Sequence, residues 1–397
     1  MECMIYLDNA ATTLQKPPEV YDAVMDAMKH HGNPGRGACE ASLVASRAIY
    51  GARDALTQFF GGSDPSRLIF TANATDSLNA IIRGIFRPGD HVITTQLEHN
   101  SVLRPLYDLE KHGVEVTVVG CCAGGTLAID DVRAAVTPHT KAVVCTHASN
   151  VTGNTVDLEM LGALAHAHGL LFIVDASQTA GILPIDAARM QIDVLAFTGH
   201  KGLMGPQGTG GYYVREGVEI RPTRSGGTGV HSFLRHQPQE LPERLEAGTR
   251  NSHGIAGLLA GVRVIQHIGL SDIYEKEHRL MVHFIEQLKD VAGVVFYGDY
   301  APQGRVVQGY EQIVRAPIVA LNVRGSDGYI DAGELSDWLM QEYGIATRAG
   351  AHCAPLMHQY FGTEKQGMVR FSFSYYNTME EVDEAAAAVR EIACDVW

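Results

Sequence analysis

An acid and a lysine follow two apolar runs of the sequence, at points where strands of a sheet would end. Asp175 comes directly after LLFIV (Leu170–Val174), and Lys201 follows VLAFT (Val194–Thr198). The two positions are one strand–helix–strand crossover apart, so both side chains can face one cofactor. Pyridoxal phosphate (PLP) requires such a pair, a lysine for a Schiff base and an acid that keeps the pyridine nitrogen protonated. The pair therefore predicts PLP chemistry, while each residue alone is as typical of a surface charge or a turn.

Other polar residues that could complete such a site also follow apolar runs. Thr75 and Asp76 come shortly after RLIFT, and His99 and Asn150 come shortly after HVITT and AVVCT. Ligands collect at the carboxyl ends of the strands in an open parallel sheet, so we predict one site at this edge. A helix that begins near Thr75 would offer free N–H groups to a phosphate. The alternative is that Thr75 or Asp76 is only a helix N-cap.

The charge balance excludes several kinds of partner. The chain has 397 residues, with 31 Lys and Arg against 45 Asp and Glu, which gives a net charge of −14. An acidic surface repels the phosphates of nucleic acids and anionic lipids, so we expect neither as a partner. The first residues, MECMIY, lack the basic and apolar regions of a signal peptide, and no apolar run approaches the ~20 residues of a membrane span. We therefore expect a cytoplasmic enzyme that acts on a small molecule.

The cysteines and histidines do not have the spacing of a disulfide framework or a metal site. The seven cysteines are irregularly placed and include no CxxC pair, so we expect reduced thiols. The pairs His166/His168 and His352/Cys353 are too closely spaced for structural zinc, and we predict no metal. No G-x-G-x-x-G motif follows the first strand, so a nicotinamide enzyme is not expected.

The order of apolar runs and helical patterns predicts an α/β fold with two domains. Alternation of the two predicts βαβ units and a mostly parallel sheet. We predict a large domain at 16–255 and a smaller α+β domain at 256–397, which also takes in residues 1–15. The predicted strands of the large sheet are Arg67–Thr71, His91–Thr95, Val114–Val119, Ala142–Thr146, Leu170–Val174, Val194–Thr198 and Gly208–Val214.

Several segments, in the same order along essentially the whole chain, resemble a known family. The chain closely resembles the class V aminotransferase family of fold-type I PLP enzymes, and within it the cysteine desulfurases of the SufS-like branch. The resemblance implies the fold-type I transferase fold, with a seven-stranded sheet, and a homodimer with composite sites. The segments are YLDNAAT (Tyr6–Thr12), NPGRG (Asn33–Gly37), LEHNSVLRPL (Leu97–Leu106), HASNVTG (His147–Gly153), VDASQTAG (Val174–Gly181), FTGHKGLMGPQGTGG (Phe197–Gly211), EAGTRN (Glu246–Asn251) and RAGAHCAP (Arg348–Pro355).

The resemblance also implies a role for each residue of the site. Lys201 would hold PLP as a Schiff base and later move the Cα proton of the substrate. The ring would be contacted by Asp175 at the pyridine nitrogen, by Gln178 at the phenolic oxygen and by Asn150. His99 would stack on the ring face and, as a catalytic residue, help proton transfer. The phosphate would be bound by Ala74, Thr75, Thr198, His200 and, from the other subunit of the dimer, Thr249. The substrate would be bound by Asn150 and Arg370 at its carboxylate, with Arg348 close by.

Cys353 decides which reaction the resemblance implies. It falls where the family carries its sulfur-accepting cysteine, and the nearby Arg348 and His352 would lower the pKa of its thiol. L-Cysteine would then be converted to L-alanine, with the sulfur left as a persulfide on Cys353 and passed to an acceptor protein. The alternative is that Cys353 is a small buried hydrophobe, as lone cysteines often are.

Other reactions on the same scaffold stay open. They are the reactions of a selenocysteine lyase, a cysteine sulfinate desulfinase, another C–S lyase and a true transaminase of this family. A further alternative is a protein that binds PLP without catalysis. Cys39 departs from the family pattern, because histidine is expected there, which leaves open any role of the NPGRGACEAS segment.

Overall fold

A computed structural model describes residues 4–34, 39–300, 305–307, 310–312, 314–326 and 328–397. The last three residues of the NPGRG segment, 35–37, therefore lie outside the described residues. The strands are β1 (Ile5–Tyr6), β2 (Leu68–Thr71), β3 (His91–Thr95), β4 (Glu115–Val119), β5 (Thr140–Thr146), β6 (Leu171–Asp175), β7 (Val194–Thr198), β8 (Gly210–Val214), β9 (Val294–Tyr297), β10 (Arg305–Val307), β11 (Tyr310–Gln312), β12 (Ile318–Gly325), β13 (Gly328–Tyr329), β14 (Ile345–Ala346), β15 (Arg348–Gly350) and β16 (Met368–Ser372). The α-helices are α1 (Pro18–His30), α2 (Glu40–Phe59), α3 (Ala74–Ile85), α4 (Asn100–Glu110), α5 (Ile129–Ala134), α6 (Leu158–Ala167), α7 (Ser252–Ile268), α8 (Leu270–Leu288), α9 (Ala332–Tyr343), α10 (Pro355–Phe361) and α11 (Met379–Val396).

The large sheet has seven strands in the order β2-β8-β7-β6-β5-β3-β4. Strand β8 is antiparallel to both of its neighbours, and the remaining pairs are parallel. The prediction of a mostly parallel, seven-stranded α/β sheet is therefore confirmed. Strands β3 and β7 are buried along their whole length, and β5 and β6 along most of it, which is why they appear in the sequence as largely apolar runs.

The two faces of this sheet are covered by different helices. Alternate residues of β7 enter two separate cores, because successive side chains of a strand point to opposite faces. Leu195 packs in the core that includes residues of α2 and α7, whereas Val194 and Ala196 pack in the core that includes Ile81 of α3. The carboxyl ends of the strands are left between these layers, at the edge where loops can form a site.

The C-terminal part of the chain forms a second, smaller sheet. Strand β12 pairs with β9, β13 and β16, and β16 pairs with β15, all antiparallel. The start of the chain joins this part, because β1 pairs with β14, and Ile5 and Leu7 pack in one core with Phe371. The domain limits at 16–255 and 256–397 stay a prediction. The boundary between residues 255 and 256 falls inside α7.

A sharp bend separates the two long helices α7 and α8. Gly269 lies between them with a φ of 100°, a conformation that favours glycine, and the helix axes differ by 84°. Among the described residues, no single helix is both long and apolar enough to cross a membrane, although this bent pair together has the required length and composition.

Candidate active site

A pocket of about 480 Å³ lies at the carboxyl ends of β3, β5, β6 and β7. This is where ligands bind in open parallel sheets, because the loops that leave neighbouring strands diverge there. The pocket contains every residue predicted to contact the cofactor except Thr249. Its lining residues are Asn73, Ala74, Thr75, His99, Ser101, Thr146, Asn150, Asp175, Ser177, Gln178, Thr198, His200 and Lys201.

The amine of Lys201 lies among groups that change its basicity. Burial lowers its pKa to about 8, and the positive charge of Arg370 contributes to this shift. The negative charges of Asp175 and Asp8 act in the opposite direction. A lysine with a pKa near 8 is partly neutral at physiological pH, and only the neutral amine is a nucleophile or a base.

The carboxylate of Asp175 is positioned by the turn that follows it. The backbone N–H and the hydroxyl of Ser177 both donate to the same oxygen, Oδ1, with the N–H at 2.9 Å. The second oxygen, Oδ2, takes no part in these two bonds. Gln178 is the residue after Ser177. Its side chain is buried and donates from Nε2 to the carbonyl of Ala10 at 3.2 Å.

A chain of hydrogen bonds sets the tautomer of His99. The hydroxyls of Thr75 and Ser101 are 2.8 Å apart, and the Ser101 hydroxyl is 2.8 Å from Nδ1 of His99. Because the backbone N–H of Ser101 also donates to Nδ1, at 3.0 Å, this nitrogen is an acceptor. Burial lowers the pKa of His99, so the neutral ring carries its proton on Nε2.

The start of α3 and the end of β7 supply a set of donors suited to a phosphate. Asn73 caps the helix, accepting from the N–H of Asp76 at 2.9 Å, so the alternative that Thr75 or Asp76 is the N-cap is wrong. Ala74 and Thr75 therefore begin the first turn, where backbone N–H groups lack helical partners. Across the pocket, Thr198 Oγ1 and His200 Nδ1 are buried without a hydrogen-bond partner among the described residues.

His200 is neutral in this environment. Burial lowers its pKa to about 4, with further contributions from Lys201 and Lys16. A neutral imidazole can donate one hydrogen bond to an oxyanion, which suits a site for phosphate. The two unpartnered polar groups, on Thr198 and His200, are costly to bury unless a ligand engages them.

Cys353 lies in a turn between β15 and α10 that is bound directly to this pocket. The N–H of Asn100 donates to the carbonyl of Cys353 at 2.7 Å, and Nδ2 of Asn150 donates to the carbonyl of His352 at 2.7 Å. His352 and Cys353 have φ values of 52° and 55°, an uncommon conformation for two successive non-glycine residues. Such strain persists when surrounding contacts impose it, as these two hydrogen bonds do.

The thiol of Cys353 is exposed, so the alternative that it is a buried hydrophobe is wrong. The expectation that His352 carries a positive charge beside the thiol is also wrong. Burial lowers the pKa of His352 well below its usual value, and its ring stacks on His358 at an interplanar angle of 12°. Arg348 and Arg370 are therefore the cations near this turn, while His352 is neutral.

The two predicted substrate-binding arginines lie opposite each other on adjacent strands. Arg348 and Arg370 are register partners of β15 and β16, the first exposed and the second buried. Arg370 donates from Nη1 to the backbone carbonyl of Asn150 at 2.9 Å and from Nη2 to Asp8 at 2.8 Å. Its Nε is buried without a partner among the described residues.

Thr249 and Cys39 lie apart from this cluster. Thr249 is exposed and lines a different pocket, together with Asp76, Arg224 and Glu246, so one chain alone does not bring it to Lys201. Cys39 is the exposed residue before α2, and its Sγ is 3.3 Å from the hydroxyl of Ser42.

Sequence reasoning missed the roles of three residues. Ser101 and Ser177 orient His99 and Asp175, and Asp8 pairs with Arg370. Both serines follow apolar runs two residues after the groups that they orient, a spacing that could have identified them. Asp8 lies in the YLDNAAT segment, which indicated its importance without indicating its partner.

The comparisons agree with the geometry. The family model "Aminotransferase class-V" matches residues 5–385. A "Probable cysteine desulfurase" of Methanothermobacter thermautotrophicus is 33% identical over 395 residues, which cover 98% of this chain and 94% of that protein. A "Cysteine desulfurase" of Escherichia coli K12 is 32% identical over 98% of this chain and 93% of that protein. A solved structure of an apo cysteine desulfurase from Thermococcus onnurineus superimposes with a TM-score of 0.89 at 32% identity, covering 99% of this chain and 95% of that one.

The predicted resemblance is thereby confirmed over nearly the whole length of the chain. The match extends from β1 into α11, so it includes both sheets and every residue of the predicted site. With a family model over residues 5–385 and relatives 32–33% identical, this chain belongs to the class-V aminotransferase family.

Proposed function

We propose that this protein is a PLP-dependent cysteine desulfurase, which converts L-cysteine to L-alanine and receives the sulfur on Cys353 as a persulfide. The observation that carries the proposal is the exposed Cys353 thiol, held beside the Lys201 pocket by Asn100 and Asn150. A family member that only transfers amino groups needs no thiol at this place. Relatives with 32–33% identity that are named cysteine desulfurases support the same reaction.

The residues of the pocket fit PLP. Lys201 supplies an amine of lowered pKa for the Schiff base, and Asp175 an acceptor for the pyridine N–H. The unpartnered Thr198 hydroxyl and His200 nitrogen suit the phosphate, together with the first turn of α3. When bound, PLP supplies an electron sink for the charge that develops on Cα of the substrate.

The other groups then have distinct tasks. Arg370 and Asn150 bind the substrate carboxylate, and Lys201, partly neutral at a pKa near 8, accepts the Cα proton. His99 is neutral and carries its proton on Nε2, so that nitrogen can donate a hydrogen bond in the pocket. The Cys353 thiolate attacks the substrate sulfur: an S–S bond forms, the Cβ–S bond breaks, and its electron pair remains on the substrate carbon, which is protonated to give alanine.

The experiment that tests this proposal follows purified protein loaded with PLP and given L-cysteine, with and without dithiothreitol. Alanine and sulfide are quantified, and the intact mass of the protein is recorded. We expect equal amounts of alanine and sulfide with dithiothreitol, and a transient mass gain of one sulfur atom without it. Cys353→Ala should lose both the formation of alanine and sulfide and the mass gain. Cys122→Ala, which removes another exposed thiol, should keep them.

Each alternative has its own result. Alanine formed equally well by Cys353→Ala would indicate a C–S lyase of a different mechanism. Conversion of selenocysteine in place of cysteine would indicate a selenocysteine lyase, and conversion of cysteine sulfinate would indicate a cysteine sulfinate desulfinase. A keto acid formed with consumption of an amino acceptor would indicate a transaminase.

The exposed position of Thr249 supports a homodimer in which this residue completes the site of the other subunit. Thr249 follows Glu246, whose buried carboxylate binds Arg53 through two hydrogen bonds of 2.8 and 3.0 Å. That ion pair holds Glu246 against α2, and Thr249, three residues further on, lies outside the Lys201 pocket of its own chain. The exposed Cys353 thiol is likewise accessible to a sulfur-acceptor protein.

A further inference from the structure

Arg370 already has an acidic partner inside the chain. Its Nη2 is 2.8 Å from Oδ1 of Asp8, and the exposed fractions of the two side chains are 4% and 13%. Its Nη1 donates to the carbonyl of Asn150. The residue to which the proposed function assigns the substrate carboxylate thus has two of its three nitrogens engaged before any substrate arrives.

The position of Asp8 is fixed by the backbone around it. Asp8 forms a parallel β-bridge with Ser372, two residues beyond Arg370 on β16, and the N–H of Ser372 donates to the carbonyl of Leu7 at 2.7 Å. The Asn9 side chain donates to the carbonyl of Ser372 at 2.9 Å. Asp8 and Arg370 are therefore held on neighbouring segments, and the ion pair does not depend on a mobile side chain finding its partner.

Two other cations, Arg348 and Lys201, lie near Arg370. Arg348 is its register partner on β15, and the charge of Arg370 acts on Lys201, His99 and His352. Asp8 raises the pKa of Lys201, whereas Arg370 lowers it, so both lie close enough to the amine to influence it. Among the described residues, Asp8 is the acid that forms an ion pair with Arg370.

We propose that Asp8 sets the affinity of this pocket for the carboxylate of the substrate, as a positioning residue of Arg370 that also competes with that carboxylate. The inference rests on the proposed function, because that function brings an amino-acid carboxylate to Arg370. A carboxylate binds arginine best through two parallel N–H bonds, and here it must share the guanidinium with Asp8. Two carboxylates on one guanidinium repel each other strongly in a poorly hydrated site.

Two substitutions separate the two effects of Asp8. Asp8→Asn keeps an oxygen that accepts from Nη2, so the guanidinium stays in place. It removes the negative charge that competes with the carboxylate of the substrate. Asp8→Ala removes both the charge and the acceptor. The matched control is Asp90→Asn, which removes the charge from a half-buried ion pair with Lys141 at the opposite end of β3, away from the pocket.

The measurement is the dissociation constant of the PLP-loaded protein for L-alanine and for L-alaninamide, by calorimetry. L-Alaninamide has an amide in place of the carboxylate, so the ratio of the two constants reports on the groups that bind the carboxylate, Arg370 and Asn150. We expect the affinity for L-alanine, relative to that for L-alaninamide, to be about fivefold higher in Asp8→Asn than in the unsubstituted protein. Asp8→Ala should bind L-alanine about tenfold more weakly than Asp8→Asn, and Asp90→Asn should change neither ligand.

Weaker binding of L-alanine by Asp8→Asn, or no change, would overturn the proposal, because the charge would then not compete. Equal affinity of the unsubstituted protein for L-alanine and L-alaninamide would also overturn it, since Arg370 would not be binding the carboxylate. Failure to convert L-cysteine, with the Asp8→Asn effect on L-alanine intact, would overturn the proposed function and still support the role of Asp8.

Discussion

The side-chain amide of Asn150 donates a hydrogen bond to the carbonyl oxygen of His352, 2.7 Å away, in the residue before Cys353. The backbone carbonyl of Asn150 accepts from Arg370, and its side chain lines the Lys201 pocket. Asn150 is thus in contact with the Lys201 pocket, with Arg370, which we propose binds the substrate carboxylate, and with the turn that carries the thiol. Changes at any of these three places can reach the others through one residue.

Asn150→Ala should therefore impair sulfur transfer more than PLP binding. Loss of the amide removes one of the two hydrogen bonds that impose the strained conformation at His352 and Cys353. We expect the rate of persulfide formation in a single turnover to fall about 10- to 100-fold, by loss of orientation of the attacking thiol. The dissociation constant for PLP should change much less. A loss of PLP affinity as large as the loss of rate would contradict this assignment.

The pH dependence of PLP capture should follow the lowered pKa of Lys201. Only the neutral amine forms a Schiff base, and burial lowers its pKa from 10.5 to about 8. The rate at which PLP-free protein captures PLP, followed by absorbance, should therefore rise with pH and level off above pH 8, instead of rising up to pH 10 or beyond.

Asp8→Asn provides a check on the sign of this effect. Asp8 stabilises the charged form of Lys201 and so raises its pKa. Removal of the negative charge should shift the midpoint of capture to lower pH. A midpoint that stays above pH 10 in both proteins would show that Lys201 is hydrated and not buried as described.

The strand-end residues of the site could be predicted because the topology acts on all strands alike. In a parallel sheet every strand ends at the same edge, so the residues that follow neighbouring strands, here β7, β6, β5 and β3, lie close together. His99, Asn150, Asp175 and Lys201 line one pocket for this reason. The topology alone predicts that these residues lie close together. The resemblance to the family then implies the role of each.

Other features depend on contacts that no local pattern contains. Asp8 and Arg370 are 362 positions apart, and their pairing arises only when β1 joins the C-terminal part of the chain. The neutral state of His352 depends on burial against His358, whereas sequence proximity to Cys353 predicted a cation. Near the start of α3 the sequence contains three residues that can cap a helix, Asn73, Thr75 and Asp76. Only the observed start of the helix identifies Asn73 as the cap.

The ion pair between Arg53 and Glu246 should contribute strongly to stability. Both side chains are about 95% buried, and Glu246 also accepts from the N–H of Phe70 at 2.8 Å. Arg53→Ala removes two charge-assisted hydrogen bonds from the buried Glu246 carboxylate, which keeps Arg250 as a partner. It should therefore lower the free energy of unfolding by about 2–3 kcal/mol in urea titrations. The matched control is Arg133→Ala, which removes an exposed partner of Asp130 and should cost less than about 1 kcal/mol. Equal effects of the two substitutions would contradict the prediction.

Mixing of two defective chains should test whether Thr249 acts across a dimer. Lys201→Ala removes the Schiff base of its own chain, and Thr249→Ala removes the hydroxyl that its partner would use. In a mixed dimer, the site with an intact Lys201 receives an intact Thr249 from the Lys201→Ala chain, so we expect PLP affinity and activity to return to about half of the sites. As a control, the double variant Lys201→Ala/Thr249→Ala is mixed with unsubstituted protein, and the sites of that mixed dimer should all remain defective. If instead the first mixture shows no gain over its separate components, Thr249 acts within its own chain or not at all.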